Sequence, residues 1–203
     1  MREYDLIAGW YASERVGQTG VPEVLALVET LPPGARVLDI GCGNGLPLTR
    51  ALLAADVEAV GVDSASEMLA RFRLNLPATH AVRALAQALP LADATFDGAV
   101  AWGVMFHLPQ AEELEVFASV ARVLKPGGSF LFTAGDAADD DSGDHIGIMN
   151  CVEFRYYSFT RDGYRRVLAD HGMRLVDFHN DEGDNSYYLA TKNVQPFTLS
   201  TAG

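Results

Sequence analysis

Cysteine is scarce in this chain, and the long apolar runs that membrane segments require are missing. The 203 residues include two cysteines, Cys42 and Cys151, which cannot supply the disulfide framework of a small secreted domain. The first residues, MREYDLIAGWYASER, lack the apolar stretch of a signal peptide. No apolar run approaches the roughly 18 residues of a membrane helix. We therefore expect a cytoplasmic protein that does not associate with a membrane.

Basic residues are also few: 15 lysines and arginines stand against 27 aspartates and glutamates, which gives a net charge of −12. Nucleic-acid binding draws most of its affinity from Lys and Arg side chains that neutralise phosphates. The chain has one basic run, RDGYRR at 161–166, which we interpret as a solvated helix face. We therefore expect no nucleic-acid partner and predict a small-molecule substrate, while a homodimer stays open.

The acidic stretch DAADDDSGD at 136–144 raises the question of a metal site. It lacks the central glycine and the final glutamate of a calcium-binding EF-hand loop. We therefore predict no metal and interpret the stretch as a flexible lid.

Strands and helices alternate along most of the chain, which indicates a parallel sheet with helices on both sides. A helix-stop, Pro-Pro-Gly at 32–34, ends the N-terminal helical region, and a capping box, SASE at 64–67, predicts a helix start at Ser64. Apolar patterning predicts strands at 36–40, 58–63, 79–84, 96–102 and 129–134, and helices at 21–31, 47–55, 66–74 and 110–124.

The C-terminal part has a different pattern. After a predicted helix at 159–172, two strands at 173–179 and 186–192 are joined only by a polar loop, so they must be antiparallel. The prediction is a single α/β domain with a Rossmann-like, seven-stranded, mostly parallel sheet and a C-terminal antiparallel strand. We divide it into a helical cap (1–34), a cofactor half (35–135), a substrate side (136–192) and a tail (193–203).

The stretch VLDIGCGNGLP at 37–47 places glycines at every second position after the first predicted strand. A dinucleotide fingerprint, G-x-G-x-x-G, would need a glycine at Leu46, and a P-loop would need a lysine nearby. Both phosphate-binding interpretations therefore fail. We interpret Cys42, between two of these glycines, as a small residue tolerated in a tight turn, with a catalytic thiol as the alternative.

Two aspartates mark the ends of the first two predicted strands. Asp39 precedes the glycine loop, and Asp63 follows 24 residues later, where a carboxylate can accept both hydroxyls of a ribose. A site with carboxylates and without a nearby phosphate-binding cation suits a cationic, phosphate-free nucleoside.

At this point the sequence resembles the class I S-adenosylmethionine (SAM)-dependent methyltransferases. The resemblance rests on VLDIGCGNG, VGVDSASEML, FDGAVAWGVMFHL, LKPGG and YLATK, which cover about 35–192 in the expected order. It implies SAM as the cofactor and a set of cofactor-binding residues: Asp39, Gly41, Cys42, Gly43, Gly45, Asp63, Ser64, Met68, Ala86, Gln87 and Trp102.

One position departs from the family pattern. In the segment RALAQALPL at 83–91, Leu85 stands where an acidic residue usually receives the adenine amino group. Either the Ala86 backbone alone then contacts the adenine edge, or Gln87 substitutes for the acid.

Methyl transfer from a sulfonium is a direct displacement, so it needs an aligned nucleophile more than a fixed set of catalytic groups. We predict His107 and His145 as candidate general bases, since an unperturbed histidine pKa suits that task. Candidate substrate-binding residues come from the N-terminal region and from the segment after the fifth strand: Tyr4, Trp10, Tyr11, Asp136, Tyr156 and Tyr157.

Three functions remain in view from the sequence. The first is a SAM-dependent methyltransferase that acts on a small molecule. A non-catalytic SAM-binding regulatory protein is the second, and an NAD-dependent oxidoreductase, which the glycine spacing disfavours, is the third.

Overall fold

A computed structural model of the chain describes residues 2–14, 17–137, 145–180 and 185–194, with backbone alone for 2 and 11–14. The α-helices in these ranges are α1 (Arg2–Glu14), α2 (Val21–Glu29), α3 (Leu48–Ala54), α4 (Ser66–Asn75), α5 (Gln110–Val123) and α6 (Arg161–Asp170). The strands are β1 (Arg36–Ile40), β2 (Glu58–Asp63), β3 (His80–Arg83), β4 (Phe96–Ala101), β5 (Leu124–Ala134), β6 (His145–Met149), β7 (Val152–Tyr156), β8 (Met173–Asn180) and β9 (Ser186–Lys192).

Seven strands form one sheet in the order β3-β2-β1-β4-β5-β9-β8. The pairs among β1 to β5 are parallel, whereas β9 lies antiparallel between β5 and β8. The predicted fold class is therefore confirmed, including the antiparallel C-terminal strand. The strand order reverses between β1 and β4, and such a reversal opens a crevice at the carboxyl ends of the strands.

Alternate residues of the central strands pack on opposite faces of the sheet. Leu38 and Ile40 belong to the apolar cluster that includes residues of α5 and α6. Val37 belongs to the cluster that includes residues of α2 and α3. Both faces of the sheet are thus covered by helices, as the near-continuous apolar strands predict.

The hairpin formed by β6 and β7 is a structural element that the sequence reasoning missed. Its strands pair antiparallel from His145 opposite Tyr156 to Met149 opposite Val152. His145, in the segment after the fifth predicted strand, therefore lies in a strand and not in a loop. The turn uses Asn150 and Cys151, both with positive φ, where the usual signal of such a turn is Asn-Gly. Residues 138–144, most of the predicted acidic lid, lie outside the described residues.

The predicted capping box at 64–67 is also wrong. Ala65 is the N-cap of α4, with no side-chain cap of its own. Asp63 Oδ1 accepts a hydrogen bond from the Ala65 amide at 2.8 Å, and Asp5 Oδ1 of α1 accepts one from the Glu67 amide at 3.0 Å. The first amides of α4 are therefore satisfied by the end of β2 and by a neighbouring helix, which the local sequence pattern cannot show.

The core contains a carboxyl group on α5. Glu113 is fully buried, and its Oε2 accepts a hydrogen bond from the Tyr164 hydroxyl at 3.1 Å. Its Oε1 has no partner among the described residues. Burial raises the pKa of Glu113 well above its ordinary value, so this side chain keeps its proton to a higher pH in the folded protein than in the unfolded chain.

We expect the stability of the Glu113→Gln variant to fall less steeply with rising pH than the stability of the wild-type protein. In the native protein Glu113 binds a proton that the unfolded chain releases above its pKa of about 4.3. The free energy of unfolding therefore falls by about 1.4 kcal/mol per pH unit while this difference persists. Urea unfolding between about pH 5 and about pH 8 measures the slope. Glu115→Gln, at an exposed position of α5, is the control and should keep the wild-type slope.

Candidate active site

A cavity of about 360 Å³ lies at the carboxyl ends of β1, β2 and β4, where the strand order reverses. Ten of the predicted cofactor-binding residues line it: Asp39, Gly41, Cys42, Gly43, Asp63, Ser64, Met68, Ala86, Gln87 and Trp102. Gly45 does not line it, because this glycine is buried against α4. The fold thus brings together predicted cofactor-binding residues from five separate segments of the chain.

The glycine loop is shaped by close packing. Gly41 has φ 71°, and a Cβ there would lie 2.2 Å from Val104 Cγ2. Gly45 has φ 81°, and a Cβ there would lie 2.6 Å from Leu76 Cδ1. Both positions therefore require glycine for backbone conformation and for space. The resulting turn leaves the backbone of Gly41 and Gly43 on the wall of the cavity.

Asp39 places a desolvated carboxylate on the wall of the cavity. The residue is 2% exposed, and its Oδ2 accepts a hydrogen bond from the Thr49 hydroxyl of α3 at 2.5 Å. Burial, together with a smaller effect of the negative charge of Asp63, raises the pKa of Asp39 to about 6, while the hydrogen bond from Thr49 opposes the rise. A bound cation would stabilise the ionised form of Asp39.

Asp63 fixes the glycine loop while it faces the same cavity. Its Oδ2 accepts a hydrogen bond from the Gly43 amide at 2.8 Å, and its Oδ1 accepts the bond from Ala65. Burial raises the pKa of Asp63, and hydrogen bonds from the backbone amides of Ala65, Gly43 and Ser64 oppose that rise. A carboxylate offers about four lone-pair sites, so Asp63 can still accept a hydrogen bond from a ribose hydroxyl.

The charges around the cavity have one sign. Asp39, Asp63 and Glu112 supply carboxylates to its wall, and the described residues that line it include neither lysine nor arginine. A phosphate group would lack the cationic partners that such groups generally use. The cavity therefore suits a nucleoside that carries positive charge and no phosphate.

The Tyr4–His107 contact covers one side of the cavity. His107 Nδ1 lies 3.4 Å from the Arg155 carbonyl oxygen, and Nε2 lies 3.0 Å from the Tyr4 hydroxyl. A carbonyl can only accept, so Nδ1 carries the proton and Nε2 accepts from Tyr4. Burial lowers the pKa of His107 to about 4. The imidazole is therefore neutral at physiological pH and already has partners on both nitrogens.

A second cavity, of about 520 Å³, lies beside the first. It collects four predicted catalytic or substrate-binding residues: Asp136, His145, Tyr156 and Tyr157. The rings of His145 and Tyr156 stack at a centroid distance of 4.9 Å. The two cavities adjoin at a hydrogen bond of 2.8 Å from the Gly103 amide, on the first cavity, to Thr133 Oγ1, on the second.

Two predicted substrate-binding residues are not placed in either cavity. Trp10 is 37% exposed on α1 and lines neither of them. The side chain of Tyr11 lies outside the described residues. Tyr4, also predicted to bind the substrate, lines the first cavity together with the predicted cofactor-binding residues.

Sequence reasoning missed several lining residues. Glu112 of α5 lines the first cavity, whereas Phe106, Asn180 and Ser186 line the second. Glu112 lies within a predicted amphipathic helix as one of three glutamates, and nothing in the local pattern distinguishes it from the others. These residues reach the cavities through the packing of α5, β8 and β9, which sequence patterns do not specify.

Comparison with known proteins agrees with this geometry. Residues 37–128 match the family described as "Methyltransferase domain". An uncharacterised methyltransferase of Synechocystis is 34% identical over 100 residues, 49% of this chain and 47% of the relative. A tRNA (carboxymethyluridine(34)-5-O)-methyltransferase of Arabidopsis thaliana is 31% identical over 150 residues, 70% of this chain and 33% of the relative. The chain thus spans less than half the length of these two curated relatives.

Solved structures share the fold. The 1,6-didemethyltoxoflavin-N1-methyltransferase of Burkholderia thailandensis, solved with its substrate and S-adenosylhomocysteine, superposes with a TM-score of 0.73. The match covers 95% of this chain and 87% of that one at 20% identity. Within the residues that the structure describes, every helix is too short or too polar to cross a bilayer. Residues 37–128 thus match the methyltransferase domain family, and the chain shares its fold with a solved methyltransferase.

Proposed function

We propose that this protein transfers the sulfonium methyl group of SAM to a small-molecule acceptor by direct in-line displacement. The observation that carries the proposal is the wall of the first cavity, which combines carboxylates with a glycine loop and contains no lysine or arginine among its described residues. SAM carries a sulfonium and an ammonium but no phosphate, so its charge is complementary to this wall.

The residues of the first cavity fit the parts of SAM. Asp63, which keeps capacity for a further hydrogen bond, would accept from the ribose hydroxyls. Asp39 and the backbone of the glycine loop would hold the methionine portion, whose positive charge would favour the ionised form of Asp39. When bound, SAM supplies an electrophilic methyl group. The protein's own contribution is to orient the two reactants and to exclude water.

The second cavity is the proposed acceptor site. It adjoins the first at Gly103 and Thr133, and its wall carries neutral hydrogen-bonding groups together with aromatic rings. Arg161 engages both Asp136 oxygens, through its amide at 3.1 Å and its guanidinium at 2.9 Å. A concave site with aromatic rings and a few polar groups is typical for a small molecule. The net charge of −12 favours such a molecule over the tRNA named for the Arabidopsis thaliana relative.

The two candidate bases have different surroundings. His107 is neutral, with both nitrogens hydrogen-bonded, so we assign it to closing the cofactor cavity together with Tyr4. His145 lines the proposed acceptor cavity beside Tyr156 and is exposed. His145 is therefore our candidate for a proton acceptor from an acceptor hydroxyl or amine.

Two experiments separate this function from the alternatives. We expect calorimetry to detect saturable binding of SAM and of S-adenosylhomocysteine and none of NAD, because a pyrophosphate has no cationic partner in the cavity. We expect turnover with at least one member of a panel of phenols, amines and carboxylic acids. NAD binding without SAM binding would overturn the proposal, and SAM binding without any turnover would favour a regulatory protein.

We expect Asp39→Asn to weaken SAM binding and to stabilise the protein without SAM. The pKa of Asp39 is raised from 3.8 to about 6, so its contribution to stability is lost as the pH rises through that interval. Removing the charge should therefore raise the free energy of unfolding at neutral pH by up to about 3 kcal/mol. The dissociation constant of SAM should rise at least about tenfold, and wild-type affinity should fall below about pH 6. Thermal unfolding and calorimetry measure both effects.

Asp97→Asn is the control for this experiment. Asp97 lies at the opposite end of the sheet, where its carboxylate accepts hydrogen bonds from the Arg36 amide at 2.9 Å and Lys125 Nζ at 2.8 Å. These bonds lower the pKa of Asp97 despite partial burial. The control should therefore lose stability and keep its SAM affinity. An Asp39→Asn variant that behaves like the control would contradict the role of Asp39 in cation binding.

We expect Tyr157→Ala to weaken acceptor binding in the second cavity without affecting SAM binding in the first. The substitution keeps the hydrogen bond from the backbone amide of residue 157 to the Phe106 carbonyl oxygen, which measures 2.8 Å, and removes only a side chain from the second cavity. The KM for an acceptor found by the panel should rise about tenfold while SAM affinity stays within about twofold. Ile148→Ala, at a 79% exposed position of the same hairpin, should change neither constant. A SAM-affinity defect without a KM change would place the acceptor elsewhere.

A further inference from the structure

The cofactor cavity has an unusual boundary beyond β3. Leu85 occupies the position where the family pattern has an acid, and its side chain is apolar and 55% exposed. A single helical turn, Ala86–Ala88, follows directly and lines the cavity together with the first turn of α5. A polar group for the exocyclic amino group of adenine must therefore come from a different residue.

Gln87 meets Glu112 at this boundary. Gln87 Nε2 donates a hydrogen bond to Glu112 Oε2, and both residues lie on the wall of the cavity. An ionised carboxylate only accepts hydrogen bonds, so the amide must turn its nitrogen toward Glu112. Gln87 Oε1 is then left as an acceptor, and it forms no hydrogen bond within the part of the chain that the structure describes.

The start of α5 places the Glu112 side chain beside the positive end of the helix dipole. The Glu112 amide donates to the Pro109 carbonyl at 2.8 Å, which places this residue in the first turn of the helix. The positive end of the helix dipole stabilises a negative side chain in that turn. Glu112 can therefore fix the orientation of the Gln87 amide, whose two ends would otherwise be close in energy.

We propose that Glu112 is a positioning residue that holds Gln87 Oε1 ready to accept a hydrogen bond from the 6-amino group of adenine. The inference rests on the proposed use of SAM. The Gln87–Glu112 pair, from two separate elements, would take the place of the acid that the family has at the position of Leu85. The pair would make the cavity selective for adenine, because the oxygen of a 6-oxo base is an acceptor and would face the acceptor Gln87 Oε1.

The test compares two ligands on wild-type and variant protein. We expect wild-type protein to bind S-adenosylhomocysteine at least about tenfold more tightly than S-inosylhomocysteine, the analogue with a 6-oxo group, because a buried acceptor without a donor weakens binding. In Glu112→Gln the partner can accept or donate, so the Gln87 amide can turn around. The ratio of the two dissociation constants, measured by calorimetry, should then fall to within about threefold of unity.

Glu115→Gln is the matched control, since it removes the same charge from an exposed position of the same helix. It should keep the wild-type ratio. Gln87→Leu should bring the ratio of the two dissociation constants close to unity although Glu112 is intact. Adding Glu112→Gln to this variant should not change the ratio further. This lack of additivity is the signature of a residue that acts through another. Thermal unfolding should show that all variants are folded. Glu112→Ala removes the same carboxylate and is a second test of the positioning role.

The outcomes distinguish this inference from the proposed function. If wild-type protein binds S-adenosylhomocysteine and Glu112→Gln keeps the full ratio, the positioning role is wrong while the methyltransferase proposal stands. Equal binding of the two ligands by wild-type protein would overturn the role of Gln87 Oε1 as well. If wild-type protein binds neither ligand, the assignment of the cofactor cavity itself fails.

Discussion

The Asp63 carboxylate connects the three parts from which the cofactor cavity is built. It lies at the end of β2, accepts the amide of Gly43 in the glycine loop, and accepts the amide of Ala65 at the start of α4. These two bonds set the loop and the helix relative to the strand. Because both bonds end on one side chain that also faces the cavity, the same group that shapes the site is available to a ligand.

The cavity concentrates negative charge at a cost to the protein without its ligand. Desolvation, with a smaller effect of the nearby Asp63 charge, raises the pKa of Asp39 to about 6. The charge that suits Asp39 to a cationic ligand thus lowers the stability of the protein without that ligand, which is the usual conflict between stability and activity at a binding site. In the proposed function, the positive charge of SAM offsets this cost.

Elements outside the central sheet complete the site. α1 supplies Tyr4 to the cofactor cavity and Asp5 to the first turn of α4, so this helix is tied to the site by two separate hydrogen bonds. The β6–β7 hairpin brings His145 and Tyr156 to the second cavity. In the proposed function, the Rossmann-like sheet binds SAM, and these additions select the acceptor that approaches the methyl group.

The sequence by itself determined the sheet, the glycine loop and most of the cofactor cavity. Strand periodicity, Gly41, Gly43, Asp39 and Asp63 depend on local conformation and on the order of parallel strands, and both are encoded in short stretches. Other features follow from the packed fold. The Gln87–Glu112 contact and the neutral form of His107 depend on contacts between residues far apart in the chain, and no local pattern records such packing. The hairpin that carries His145 is local, but its turn at Asn150 and Cys151 lacks the usual Asn-Gly signal.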